Sequence, residues 1–253
     1  MSHTTSCLNC NENLIGKFCY NCGQKSDTHR ITLKHFIFHD VLHGVWHIEK
    51  GIIFTIKESI TRPGKAALDY ISGKRIRYYN VFYLILILIG LNVILADIYE
   101  YLLKTYFPNK YELETTTTNN GSAELFNNYF KLLIFGIVPI LAINSYMLFR
   151  RKKFNFSEHL IIAGIVLLGI MVFTTIGQLI DFFDAVLPFS TVDFTNTLIP
   201  FSLIIYLLIS YNNVIKNEYS AIQRILYLLL FLLLLFLECY AIIKIIKYIY
   251  INS

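Results

Sequence analysis

Four cysteines in the first 22 residues, Cys7-Leu8-Asn9-Cys10 and then Cys19-Tyr20-Asn21-Cys22, have the type and spacing to hold a metal ion. Each Cys-x-x-Cys pair forms a knuckle whose two thiolates aim at one centre, and two knuckles close a tetrahedral site with no open position. The chemistry expected is therefore structural: Zn2+ held by Cys7, Cys10, Cys19 and Cys22. The same thiolates can hold an iron–sulfur cluster or pair as disulfides, and a reducing cytoplasm disfavours the disulfides. The eight residues between the knuckles are fewer than in the commonest ribbons, so Gly16 and Gly23 are expected to supply the tight turns. The stretch is polar and has no apolar material for a core, so metal binding must substitute for burial. The fifth cysteine, Cys239, lies in an apolar run and reads as a small buried side chain.

A second set of ligating residues follows. His35, His39, His43 and His47 repeat at i, i+4 and would stack along one helix face. Such a ladder can bind metal or relay protons. The run His39-Asp40-Val41-Leu42-His43 lacks the glutamate that follows the first histidine of a metalloprotease helix, which disfavours that chemistry. The plainer reading is the polar side of an amphipathic interfacial helix, where imidazole is comfortable. Asp97, Asn144, Gln178 and Glu238 fall in or at the ends of apolar runs, where a polar group is costly unless paired. Glu238 is the deepest acid and is either an intramembrane functional carboxylate or an interhelical hydrogen-bonding group. No phosphate-binding loop, nucleophile elbow, paired-carboxylate motif or kinase signature occurs, so an enzymatic role has little to stand on.

The elements that position these groups follow from composition. Of 253 residues 55% are hydrophobic and 15% charged, against about 25% charged in an ordinary soluble domain. Eleven of the 22 lysines and arginines precede Asn80, while the apolar residues concentrate after it. From Ile31 to Ile60 the period is helical, with Ile37, Phe38, Val41, Leu42, Val45, Ile48, Ile52 and Ile56 on one stripe. Arg62-Pro63-Gly64 ends that helix and a short one from Lys65 to Ser72 follows. Lys74, Arg75, Arg77, Tyr78 and Tyr79 form a collar suited to anionic headgroups. Five apolar runs then approach the length needed to cross a bilayer: Val81 to Leu103, Phe130 to Phe149, Leu160 to Ile180, Thr197 to Tyr211, and Ile222 to Ile246. The fourth is short and contains Pro200, which leaves a re-entrant or tilted segment as its alternative. The expected architecture is an all-α integral membrane protein of about five spans, divided into a zinc ribbon (1–29), amphipathic interfacial helices with the collar (30–79) and a transmembrane domain (80–253).

Orientation follows from charge. The N-terminal region is basic and the loop Arg150-Arg151-Lys152-Lys153 is too, whereas the loop with Asp181, Asp184 and Asp193 carries no Lys or Arg. Positive charge is retained on the cytoplasmic side, which places the N-terminus inside and, if all five runs cross, the C-terminus outside. No basic n-region precedes an apolar h-region, so the first span is expected to direct insertion. The formal charge of +5 is explained by these loops and supports no nucleic-acid partner.

The motifs Cys7-x-x-Cys10, Phe18-Cys19-x-x-Cys22-Gly23-Gln24-Lys25, Arg30-Ile31-Thr32, His43-Gly44, Gly51, Thr61-Arg62-Pro63-Gly64 and Tyr70-Ile71-x-Gly73-Lys74-Arg75-x-Arg77-Tyr78, taken in order, resemble a family of uncharacterised bacterial integral membrane proteins with an N-terminal zinc ribbon. The resemblance covers about the first 80 residues and implies the ribbon and a location in the bacterial inner membrane. It brings no activity or substrate. That family often has a proline just after the collar; Val81 stands after Asn80 here, which leaves the start of the first span less sharply marked. The function expected is non-enzymatic: a ribbon and interfacial helix that recruit or position a protein partner. A small transporter or channel subunit, and a metal sensor or metalloenzyme using the histidine ladder, are the other readings.

Overall fold

The computed structural model describes residues 6–26, 32, 51–108, 111–112, 136–186 and 192–252. The histidine ladder, His35 to His47, lies outside them, as does the start of the second apolar run. The helices are α1 (Ile52–Thr61), α2 (Pro63–Ile71), α3 (Val81–Tyr106), α4 (Gly136–Leu148), α5 (Phe156–Val186), α6 (Val192–Ile215) and α7 (Ala221–Asn252). Among the described residues, α3, α5, α6 and α7 are long and apolar enough to cross a membrane, and α4 is a shorter apolar helix.

Each boundary has a local cause. Arg62 leaves the helical region, at φ −146° and ψ 51°, because proline follows, and Pro63 then opens α2 at the first helical position, where its missing N–H costs nothing. Asn80 caps α3 by accepting a hydrogen bond from the Phe82 N–H at 3.0 Å, so the mouth of the first span is marked by an asparagine cap. Asn155 and Glu158 form a reciprocal capping box, with Glu158 N–H donating to Asn155 Oδ1 at 2.9 Å and Asn155 N–H to Glu158 Oε2 at 2.7 Å. This cap starts α5 at Phe156, four residues before the apolar run. The fourth apolar run belongs to one unbroken helix: α6 continues through Pro200 for 24 residues and is long and apolar enough to cross.

Helix α5 is the hub, buried over most of its length, with Ile162, Ala163, Ile165, Val166, Leu167 and Leu168 at the core. It runs parallel to α3, and Asn92 fixes the register by donating to Thr175 Oγ1 at 2.8 Å. Phe149 after α4, Tyr211 on α6, Tyr219 before α7 and Phe231 on α7 form an aromatic cluster, with centroids 4.5 Å apart for Tyr211 and Phe231. Helix α7 turns most of its surface outward, including Leu226, Leu229, Leu233 and Phe236. That surface is suited to hydrocarbon. Cys239 belongs to it and is exposed, not buried as its apolar setting suggested.

The loops that precede α5 and α7 lie together, with Lys152 Nζ 3.3 Å from Glu218 Oε1 and Arg151 Nη1 donating to Gln223 Oε1 at 3.0 Å. The α2 start packs on the end of α6, where a Cβ on Gly64 would lie 2.5 Å from Ser210 O. The start of α3, the end of α6 and the starts of α5 and α7 therefore share one end of the bundle with Arg150, Arg151, Lys152 and Lys153.

Helices α1 and α2 form a hairpin that enters between α5 and α6. Thr55 Oγ1 accepts from the Tyr79 N–H at 2.8 Å, level with the collar, while Ser59 O accepts from the Tyr206 hydroxyl at 2.6 Å and lies against Gly169. The buried side of α1 is polar, Thr55, Glu58 and Ser59, and Ile52, Ile56 and Ile60 are half-buried against the core.

Candidate metal centre

The two knuckles are copies of one another. In the first, Cys7 N–H donates to Glu12 O at 2.7 Å and Asn11 N–H to Cys7 O at 2.9 Å; in the second, Cys19 N–H donates to Gln24 O at 2.8 Å and Gly23 N–H to Cys19 O at 2.8 Å. Short bridges, Ser6 with Asn13 and Phe18 with Lys25, close each turn. Both turns need a positive φ after the second cysteine, met by Asn11 at 61° and Gly23 at 77°. Gly23 was expected in this role. Gly16 has an ordinary φ, and Asn11 does the work assigned to it; the signal in the sequence is the repeat Cys-x-Asn-Cys followed by a residue that tolerates left-handed backbone.

The fold brings the four sulfurs together, all within 4.8 Å of one another, with Cys7 to Cys22 at 3.6 Å and Cys10 to Cys19 at 3.5 Å. A tetrahedral site with metal–sulfur bonds of about 2.3 Å has sulfur–sulfur edges of roughly 3.8 Å. The donor set fits a four-coordinate thiophilic metal. Protons resist sharing this space. Cys10 is held down by the Glu12 backbone N–H, yet burial and the three neighbouring sulfurs outweigh that and push it up to about 12. Burial works against ionising Cys22, and hydrogen bonds from the Asn9 side chain and Gln24 backbone bring it down to about 6. A divalent cation supplies the charge that lets all four lose their protons.

The module is joined to the helices. Gln24 Nε2 donates to Gly73 O at 2.8 Å, and Leu8 packs so tightly on Gly73, at φ +102°, that a Cβ there would lie 2.6 Å from its Cδ1. Gly73 begins the collar, so the cysteine module sits at the mouth of α3. In the collar itself Lys74 pairs with Asp69 at 3.0 Å and Arg75 lies over the Tyr70 ring. Tyr78 packs edge-on between Phe54 and Tyr70, and burial pushes its hydroxyl up to about 12.

Of the intramembrane polar residues, Glu238 on α7 and Asn144 on α4 meet: Asn144 Nδ2 donates to Glu238 Oε2 at 2.6 Å. The next residue on α4, Ser145, bonds His159 Nδ1 on α5 at 2.8 Å. His159 was not singled out from sequence, where it falls four residues into a span with no patterned partner. Gln178 is not brought to either pair, and Asp97 lines a surface depression with Glu100, Tyr101 and Lys104.

Fold and site together define a helical protein with membrane-length spans, a hairpin inserted between two of them and a four-thiol module able to hold a metal. Residues 49–91 carry a DUF3667 domain, the mark of a protein family of unknown function. The matched segment covers the hairpin, the collar and the first part of α3, including Thr61-Arg62-Pro63-Gly64, and leaves the cysteines outside it. No curated protein and no solved structure matches the chain.

Proposed function

We propose that this is a non-enzymatic protein of the bacterial inner membrane whose cytoplasmic, zinc-filled ribbon recruits or positions a protein partner beside the bilayer. The observation that carries the reading is the closed four-thiol cage fixed by Gln24 and Leu8 to Gly73. A site with four protein ligands has no position for substrate, and a module anchored at the mouth of a span is placed to hold a partner there. Zinc is favoured over iron by the tetrathiolate set without cluster-type spacing. The shared end of ribbon, collar and Arg150 to Lys153 supports a cytoplasmic assignment for that end, and anionic headgroups near Lys74, Arg75 and Arg77 would hold it there.

Purification of the full chain in mild detergent, with elemental analysis and mass spectrometry of copurifying proteins, tests this. About one zinc per chain and a partner lost from the Cys10→Ser/Cys22→Ser variant are expected. A metal-free folded protein, or a partner retained by that variant, would overturn it. A transporter or channel subunit is the second reading, favoured by the Asn144–Glu238 pair within the spans; a solute flux abolished in Glu238→Gln would select it.

A further inference from the structure

The Thr61-Arg62-Pro63-Gly64 turn is unexplained by the ribbon. Three of its residues have structural reasons: Pro63 ends α1 and opens α2, Gly64 lets α2 press on α6, and Thr61 Oγ1 returns to Lys57 O at 2.8 Å. Arg62 has a different environment. Its Nη2 donates to Glu58 Oε1 one turn back; the Glu58 side chain is 4% exposed, whereas that of Arg62 is 50% exposed.

Depth gives this pair its meaning. The Asn92–Thr175 contact between parallel helices puts Gly169 level with residue 86 of α3. Ser59 lies against Gly169, so this part of α1, three residues before Arg62, is level with a point five residues beyond Val81, about 7.5 Å at ~1.5 Å per residue. The first charged residue of α3 after Val81 is Asp97, so the apolar part of the span begins at Val81 itself. The inner part of the hairpin, at Ser59, is therefore inside the hydrocarbon edge. One face of the hairpin is against α5 and α6; the other carries Lys57, Thr61, Arg62 and Lys65, all exposed. A cation exposed at such a depth is costly unless an anion meets it. Long arginine and lysine side chains reach back from that depth toward the bilayer edge, where the anion at hand is the phosphate of a lipid headgroup, and a guanidinium fixed by a buried carboxylate presents its remaining N–H donors in the fork that suits phosphate.

We infer that this face is a lipid-headgroup site in which Arg62, positioned by Glu58 and flanked by Lys57 and Lys65, holds the phosphate of an anionic phospholipid at the ribbon-side edge of the bilayer. It stands independently of the partner-recruiting reading, and it gives the hairpin a ligand of its own.

The full chain in mild detergent, loaded with phosphatidylglycerol or phosphatidylcholine and read by native mass spectrometry, tests the site. Wild type is expected to retain phosphatidylglycerol over phosphatidylcholine. Lys57→Gln/Lys65→Gln, which changes only exposed side chains, and Glu58→Gln/Arg62→Gln, which removes both charges of the pair and leaves none stranded, are each expected to lose about tenfold in retention. Glu58→Gln alone separates positioning from bulk charge. It makes the face more positive, so unspecific attraction would rise, whereas a loosened Arg62 lowers retention about threefold. Equal or stronger binding by Glu58→Gln, equal retention of the two lipids, or full retention by the double charge variant would overturn the site. Binding of inorganic phosphate that depends on Arg62, with no retention of phosphatidylglycerol, would also overturn it by making the ligand a soluble anion.

Discussion

Replacing Gly64 by alanine probes the contact on which the whole hairpin rests. The added Cβ would lie 2.5 Å from Ser210 O, 2.7 Å from Asn213 Cβ and 3.2 Å from Val214 N. Ordinary contact begins near 3.5 Å, so α2 is about 1 Å too close to α6, and two of the three obstacles are backbone that cannot rotate away. The helices must part, opening the contacts at Pro63, Ala66 and Ala67, all of which are buried. Overpacking of this kind costs about 1–3 kcal/mol. At about 2–4 °C per kcal/mol for a chain of this size, the midpoint of that range, about 2 kcal/mol, lowers the melting temperature in detergent by roughly 4–8 °C. Gly90→Ala is the control, since nothing lies within 4 Å of its Cβ and alanine gains about 0.5–1 kcal/mol in a helix interior. If the two variants melt together, α2 does not pack on α6 as described and the depth assigned to the hairpin fails with it.

Three more measurements follow. Treatment of the detergent-solubilised chain with a zinc chelator is expected to expose residues 6–26 to limited proteolysis while the helical circular dichroism of the spans persists, because a bound metal would stand in for an apolar core in the module. Gly73→Ala is expected to free the module in the same proteolysis assay without loss of zinc, since the added Cβ meets Leu8 Cδ1 at 2.6 Å and the positive φ disfavours any side chain. Asn144→Leu is expected to cost about 0.6–1.7 kcal/mol of thermal stability by stranding Glu238, and Glu238→Gln, which keeps a hydrogen-bonding partner for Asn144, much less.

The spans and the cysteine module were legible because each has a signature that survives without tertiary context. A bilayer demands about 20 apolar residues in a row, and a four-thiolate site demands two knuckles. What the apolar count could not show was where backbone continues past it. Asn155 and Glu158 extend α5 by a cap, and α6 runs from Val192 through polar Asp193, Thr195 and Asn196 and past Pro200. A proline in a span loses one backbone hydrogen bond, which neighbouring groups can offset, so it is weak evidence for a break. Cys239 shows the same limit from the other side: an apolar sequence says that a residue avoids water, not whether protein or lipid covers it.

The hairpin was not legible from the apolar count, and the reason is physical. Helices α1 and α2 have 10 and 9 residues, too short to register as apolar runs, and their charged residues look like those of a helix lying on the membrane surface. A surface helix is stabilised by the apolar area it turns to lipid, so its stripe predicts its orientation. A hairpin held between two spans is stabilised by close packing and by hydrogen bonds to groups that lipid cannot satisfy, and small and polar residues do this best. Thr55, Ser59 and Gly64 are those residues, facing the Tyr79 N–H, the Tyr206 hydroxyl and the α6 backbone. The collar returns the chain from the hairpin to the mouth of α3, and Gly73, at its start, is the residue that Gln24 and Leu8 grip. A change in the cysteine module therefore reaches the hairpin through one short turn, which gives the module mechanical purchase on the spans.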